Sequence, residues 1–273
     1  MKKHIKLLMI AMLVILLQAC GGSDDPVEKA MAKVDTNSPD GAMLSVVHAL
    51  KNNDIKALMQ SSMSAADYEK AVAEFEKAKS APSESDKAQF AQTMGMLTGD
   101  GAVDQLMAMA TPQLEQMRAQ LPMMVMMGKG MVASSIQSSP DIPAEQKESA
   151  TKMVNTMMDF VSNNDVLSEE VTRKAITAAV DTAKSLNMQS LDELQNMSFD
   201  QAMDKASLVL GGTKNIFNAY GISIDDLLSS IKISDVNNSG DLAKMKVAFE
   251  FLGESFSQDV NMKKVDGKWT AEQ

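Results

Sequence analysis

The sequence predicts an α+β protein that is mostly helical, with roughly nine to eleven helices followed by a C-terminal antiparallel meander of three to four strands. Two observations carry this prediction. Apolar residues recur with the 3.6-residue period of a helix over residues 38–230, and with the two-residue period of a strand over residues 231–273. We expect the meander to pack on the helices, because so small a sheet cannot bury its apolar face alone.

The helical region is predicted to begin at Ser38-Pro39, since serine is a good N-cap and proline is favoured at the first helical position. A polar break at residues 52–54 separates a second helix, and Ser64 caps a third. The further predicted starts are Thr111-Pro112, Ser168, Ser190 with Glu193, and Ser198 with Gln201. The further predicted ends and breaks are residues 98–101, residues 138–143, Gly211-Gly212 and Gly221.

The last 43 residues have the pattern of a half-buried sheet. Met245, Val247, Phe249 and Phe251 alternate with polar or small residues, which predicts a strand with one apolar face. Residues 231–236 and 256–265 predict flanking strands, and Asp266-Gly267 is a two-residue hairpin turn before a final short strand. We expect both phenylalanines to be buried against helices.

The charge of the chain argues against one class of partner. The formal net charge is −10, and residues 1–19 contain three lysines and no acid, so the remainder carries 23 basic against 36 acidic residues. A surface this acidic repels phosphate backbones, and we expect no nucleic-acid binding.

The N-terminus has the organisation of a bacterial lipoprotein signal. Lys2, Lys3 and Lys6 precede an unbroken apolar run over residues 7–17, which is too short to span a bilayer as a helix. The run ends in the sequence LQAC, which resembles the lipobox of bacterial lipoproteins and makes residues 1–19 the expected signal peptide. The resemblance implies that Cys20, the only cysteine, becomes an S-diacylglycerol and N-palmitoyl cysteine.

Several further expectations follow from that resemblance. It implies a membrane anchor through Cys20, with lipoprotein processing and sorting machinery as partners. Gly21 stands where aspartate would retain a lipoprotein in the inner membrane, so the resemblance implies an outer-membrane anchor, facing the periplasm or the cell surface. Residues 20–37 are polar with Gly and Pro at both ends, and are predicted to be a flexible tether.

Both ends of the folded region show a second resemblance. The sequence SPDGAMLSVVHALKNNDIKALMQ is similar to the first helices of NTF2-like lipoprotein domains of the DUF4878 type. The sequence MKKVDGKWTAEQ is similar to their closing hairpin. The resemblance covers about residues 38–62 and 231–272, and implies a cone of sheet and helices that often encloses a pocket. About 150 residues of predicted helix intervene where those domains have short helices and strands.

Four short motifs contain residue types that can carry chemistry. His48 is the only histidine after residue 19 and follows apolar neighbours, so we predict a partly buried structural role. Ser149 and Lys152 have the spacing of penicillin-binding enzymes, but the companion elements S-D-N and K-T-G do not occur in the sequence.

The other two motifs are loops. Residues 235–241 begin like a calcium-binding EF-hand loop, but Lys246 stands where the bidentate glutamate is required, which favours a plain turn. The sequence Gly211-Gly212-Thr213-Lys214 lacks the spacing of a phosphate-binding loop and is predicted to be a helix end. With Cys20 acylated, no free thiol remains for catalysis or disulfides.

Methionine is the unusual residue of this sequence. Ten of the 25 methionines lie between residues 94 and 131. Flexible thioethers fill irregular cores, so the favoured interpretation is a helical core in which methionine replaces leucine and phenylalanine. Two alternatives stay open: a soft groove for apolar ligands or partner helices, and a thioether Cu(I) site, for which Met123, Met127 and Met131 share a helix face.

We expect a non-enzymatic binding or interaction module of the cell envelope, without cofactor or metal. The alternative is an envelope enzyme that uses carboxylate, lysine or tyrosine chemistry, for which Asp225-Asp226 or Glu169-Glu170 would have to lie in a cleft. Adjacent acids on a helix diverge by about 100°, so neither pair is a ready catalytic dyad.

Overall fold

The structure is a computed structural model that describes residues 37–79, 82–140 and 142–272. The predicted signal peptide, the predicted lipid-attachment residue Cys20 and the predicted tether up to residue 36 lie outside the described residues. In the described part of the chain, ten helices precede a four-stranded antiparallel sheet, which confirms the predicted mostly helical α+β class. None of the described helices is long and apolar enough to cross a membrane.

The elements follow the order of the prediction. The helices are α1 (Pro39–Lys51), α2 (Ile55–Ser62), α3 (Ala65–Ala78), α4 (Glu84–Thr98), α5 (Ala102–Ser138), α6 (Ala144–Asn163), α7 (Glu169–Leu186), α8 (Glu193–Asn196), α9 (Phe199–Ala219) and α10 (Ile224–Ser230). The strands are β1 (Lys232–Ser239), β2 (Leu242–Phe251), β3 (Glu254–Val265) and β4 (Lys268–Ala271). The sheet has the simple order β1-β2-β3-β4.

Most of the predicted caps form. The hydroxyls of Ser38, Ser64 and Ser168 each accept a hydrogen bond from a backbone N–H in the first turn of α1, α3 and α7. Ser198 and Gln201 make the reciprocal pair of a capping box at α9. The second predicted box forms only in part: Glu193 accepts from the backbone N–H of Ser190, but the short helix α8 has no side-chain cap of its own.

One predicted helix start is wrong. Thr111-Pro112 lies inside the 37-residue helix α5, and Pro122 lies in the same helix. The Thr111 hydroxyl donates to the carbonyl of Met107 at 2.9 Å, as threonine does inside a helix, and does not cap a new one. Proline removes one helical N–H at each site, and α5 continues because its inner side is packed along neighbouring helices.

The predicted helix end at Gly211-Gly212 is also wrong, because both residues lie inside α9. A Cβ atom on Gly212 would lie 2.0 Å from Thr182 Oγ1 and 2.7 Å from Thr182 Cβ on α7. The missing side chain at Gly212 is therefore what lets α7 and α9 approach each other so closely. The predicted break at Gly221 is confirmed, since α9 ends at Ala219 and Gly221 has φ +83°.

The sheet is built as its sequence pattern predicts. Alternate residues of β2 are buried on one face, and Phe249 and Phe251 are almost completely buried, which confirms the expectation for both. Asp266 and Gly267 both have positive φ, as a tight turn between β3 and β4 requires. A register irregularity after Ser234 bends the polar edge strand β1.

Helices cover the apolar face of the sheet. One end of the face packs against α6, α9 and α10 through a cluster that contains Ile222, Leu227, Phe249, Phe251 and Phe256. The other end packs against α1 through a cluster that contains Ala42, Met245, Val247, Met262 and Trp269. The resemblance to NTF2-like domains, and the pocket that it implies, stay predictions.

Candidate functional site

The methionines of α5 are the most unusual surface of the molecule. The helix is 37 residues long, or about 55 Å at 1.5 Å per residue. Seven of its methionines are between 45% and 71% exposed: Met109, Met117, Met123, Met124, Met126, Met127 and Met131. Monomeric proteins rarely leave a long run of large apolar side chains in water, so this surface needs a physical account.

Helix geometry explains the exposure. Met107, Val125 and Ile136 are buried, and Leu114 and Leu121 are partly buried on the same side. Successive residues turn by about 100°, so Met109, Met123, Met127 and Met131 lie on the opposite side of α5 from this buried stripe. The helices α4, α6 and α7 contact α5, and the buried stripe shows that they cover its inner side.

The expected core role is therefore wrong for these seven methionines and right for Met107, which is 4% exposed. The physical reason is that methionine occurs on both sides of α5. Smaller and branched residues such as Val125 and Ile136 occupy the inner side, and the neighbouring helices cover that side alone. We call the outer surface formed by the seven exposed methionines the methionine face.

The methionine face carries few charges. Residues 109–131 contain one acidic residue, Glu115, and two basic ones, Arg118 and Lys129. Glu115 lies about 120° around the helix from Met109 and Met127. Arg118 pairs with Asp165 at 3.0 Å, and Lys129 pairs with Asp159 on α6. Both cations thus tie α5 to its neighbour, and neither is left as an unpaired charge beside the thioethers.

The buried lysine Lys214 is a second unusual feature, and sequence reasoning missed it. Its ammonium donates to the carbonyls of Leu50 and Lys51 at the end of α1, at 2.8 and 3.0 Å, and pairs with Asp225 at 2.5 Å. Burial lowers the pKa of Lys214 from its usual value, and the bond to Asp225 opposes that shift. The ammonium thus joins α1, α9 and α10, which is a structural role.

The proposed catalytic acids do not come together. Asp225 of the predicted Asp225-Asp226 pair is bonded to Lys214. Glu170 of the Glu169-Glu170 pair is bonded to Lys174 at 2.6 Å, and that hydrogen bond lowers the pKa of Glu170, the opposite of what a general acid needs. No group of three or more His, Cys, Asp or Glu residues in the described ranges could hold a metal ion.

The remaining motif residues have structural surroundings. His48 is half-buried on α1 beside Asn52, at 3.0 Å. Lys152 of the Ser149/Lys152 motif pairs with Glu254 at 2.9 Å and lies over the ring of Phe256, so it fastens α6 to β3.

The loop that begins like an EF-hand is also structural. It forms the end of β1 and the turn into β2, and Lys246 lies 3.6 Å from the Asp235 carboxylate. A lysine ammonium at that distance opposes the binding of a calcium ion, in agreement with the predicted plain turn.

Two open clefts lie away from the sheet core. One of about 500 Å³ is lined by polar residues and lies between α5, α6 and β3. Two of its charged residues already have partners, since Lys152 pairs with Glu254 and Asp159 pairs with Lys129. The other, of about 970 Å³, is a groove along α7 and α9 with side chains of both charges. Asn53 borders it and has one buried carbonyl oxygen without a hydrogen-bond partner.

Among the described residues, the seven methionines of α5 are the largest set of exposed large apolar side chains on one element. Comparison with known proteins supplies no other candidate. No family model, no curated protein and no solved structure matches this chain. The function has to be argued from the surface of the molecule itself.

Proposed function

We propose that the protein is a lipid-anchored lipoprotein of the cell envelope, without enzymatic activity, that binds an apolar helical segment of a partner protein on its methionine face. The observation that carries the proposal is the group of seven exposed, uncharged methionines, which cover about half of the circumference of α5. Unbranched thioether side chains adapt their shape to a partner, which is why methionine is favoured at surfaces that bind apolar helices.

The length and size of the face suit a helix. Six of the seven, from Met117 to Met131, lie within 14 residues or about 21 Å of α5, which is the length of about four helical turns of a partner, and Met109 stands apart beyond Gln113 and Gln116. Full burial of a methionine is worth about 1.5–3 kcal/mol, and roughly half of each of these side chains is exposed. Seven of them thus supply about 5–10 kcal/mol, similar to the cost of association of about 4–15 kcal/mol.

A balance this close makes the proposed lipid anchor relevant. Holding the protein and a membrane partner at one surface raises their effective concentration, so a modest apolar contact suffices. The anchor and the face therefore support each other in the proposal.

Charge favours a protein segment over two other occupants. Lysine and arginine beside an apolar helix face attract a membrane with anionic lipids. The two basic residues here, Arg118 and Lys129, are both paired with aspartates, which weakens that attraction. A second copy of the chain would bring together two bodies that each carry 36 acidic against 23 basic residues after residue 19. A net charge of that size opposes self-association.

The anchor is tested at Cys20. A Cys20→Ser variant should accumulate as an uncleaved precursor and take up no labelled palmitate in cells, whereas the parent should be cleaved and labelled. Maturation of the variant at residue 20, with partition into detergent, would show that the lipoprotein interpretation is wrong.

The face is tested by making it polar. A Met123→Gln, Met127→Gln, Met131→Gln variant should keep the melting temperature of the parent within about 2 °C, because the three side chains are exposed. It should lose the partner that crosslinks to the parent in cells, identified by mass spectrometry. Val209→Gln is the matched control, since Val209 is 46% exposed on another helix. If the triple variant and the control retain the same partner, the face is not the binding surface.

Cu(I) binding is a second candidate, favoured by the accessibility of Met123, Met127 and Met131 on one side of α5. The parent would then compete for Cu(I) with a coloured chelator. A Met123→Leu, Met127→Leu, Met131→Leu variant would not compete, because leucine cannot coordinate. A partner lost from the glutamine variant but retained at least in part by the leucine variant would favour the apolar contact instead.

A further inference from the structure

The methionines of the described residues differ widely in their access to water. The seven sulfur-bearing side chains of the methionine face are 45–71% exposed, whereas Met245 and Met262 under the sheet are 1% and 3% exposed. Reaction of a thioether with an oxidant requires contact between the oxidant and the sulfur, so the two groups should differ in reactivity.

We propose that the methionine face is an oxidant-sensitive modification site, at which conversion to methionine sulfoxide switches off the apolar binding surface while the fold is retained. This inference rests on the proposed function of the same face. The co-substrate is a two-electron oxidant that donates an oxygen atom, such as a peroxide. The sulfur gains the oxygen atom and loses two electrons, and hydrogen peroxide is reduced to water.

The fold survives the reaction because of where these side chains lie. Methionine oxidation usually damages a protein by placing a polar sulfoxide in its core. The core side of α5 is held by Met107, Val125 and Ile136, and by ion pairs from Arg118 and Lys129, none of which is an exposed thioether. The exposed sulfurs can therefore become polar without disturbing the contacts that position α5.

The same change removes the basis of binding. A sulfoxide oxygen is a strong hydrogen-bond acceptor, and an apolar partner helix would leave it without a donor. Several sulfoxides between Met117 and Met131, within about 21 Å of α5, would act together, because each lies within the length of the same bound segment. The reaction is reversible in cells that contain methionine sulfoxide reductases, which suits a switch.

The experiment uses the full mature chain, hydrogen peroxide and the neutral dye Nile red as a probe of the apolar face. Peptide mass spectrometry follows the sulfoxide content of each methionine with time. Circular dichroism gives the melting temperature, and dye fluorescence reports the apolar surface. A matched variant with leucine at all seven positions of the methionine face retains apolar side chains that peroxide cannot oxidise.

We expect the face methionines to be oxidised at least about tenfold faster than Met245 and Met262, with the melting temperature retained within about 2 °C. Dye fluorescence of the parent should fall by about half or more, and that of the leucine variant should not depend on peroxide. Equal oxidation rates in the two groups, or loss of the unfolding transition, would overturn the inference. Unchanged dye binding after the face is oxidised would overturn the switch alone, whereas no dye binding before peroxide would also contradict the proposed function.

Discussion

Replacing Gly212 with alanine tests the close crossing of α7 and α9. The added Cβ would lie 2.0 Å from Thr182 Oγ1, 2.4 Å from Thr182 Cγ2 and 2.7 Å from Thr182 Cβ. A change of rotamer moves Oγ1 and Cγ2 but leaves Cβ in place. The two helices must therefore move apart. This holds for every rotamer of Thr182, including the present one, in which its hydroxyl donates to the Ala178 carbonyl.

The sign of the effect follows from two opposing free energies. Alanine is better than glycine inside a helix by about 1 kcal/mol. Overpacking a tight contact costs about 1–3 kcal/mol, and overlap with a fixed Cβ places Gly212 at the upper end. We expect Gly212→Ala to lower the free energy of unfolding by about 2 kcal/mol, which lowers the melting temperature by about 4–8 °C.

Gly130→Ala is the matched control, because Gly130 also lies inside a helix and an added Cβ there meets nothing within 4 Å. Only the helical preference should act, so we expect a gain of about 0.5–1 kcal/mol. Urea unfolding followed by circular dichroism measures both variants. Adding Thr182→Gly to Gly212→Ala should recover part of the lost stability. If Gly212→Ala were as stabilising as Gly130→Ala, the close crossing would be wrong.

Three further predictions concern the core. Phe251→Ala should cost about 3–5 kcal/mol in urea unfolding, because Phe251 is fully buried under α10. A chain that ends at Ser230 should melt well below the full chain, since it lacks the sheet that covers the apolar sides of its helices. Equal melting temperatures would show that the meander is an independent appendage. Burial lowers the pKa of Lys214, so the folded state binds this proton less tightly than the unfolded state. The contribution of Lys214 to stability should therefore increase as the pH rises from the folded pKa toward 10.5, and Lys214→Met should remove that increase in unfolding measured against pH.

Local sequence patterns were sufficient to predict the parts of the structure that depend on local contacts. The change of apolar period at residue 231 marks the change from helix to sheet, since α10 ends at Ser230 and β1 begins at Lys232. Ser38, Ser64 and Ser198 cap helices because their hydroxyls bond to their own first turn. The turn at Asp266-Gly267 is likewise a property of its two residues.

Long-range packing decided the features that the patterns misplaced. A glycine pair usually weakens a helix, but at Gly211-Gly212 it allows α9 to approach α7. Proline usually starts or ends a helix, but Pro112 and Pro122 remain inside α5, which is packed on α4, α6 and α7. Lys214 showed no sequence signal, because its partners are the carbonyls of a helix end more than 160 residues earlier.

The candidate site divides in the same way. Composition alone shows that methionine is abundant between residues 94 and 131, and helical period places Met123, Met127 and Met131 on one side. Whether that side faces a core or water depends on which neighbours cover it. The helices α4, α6 and α7 contact α5, and Met107, Val125 and Ile136 are its buried side. The tertiary structure therefore decided that the other side, with Met123, Met127 and Met131, faces water.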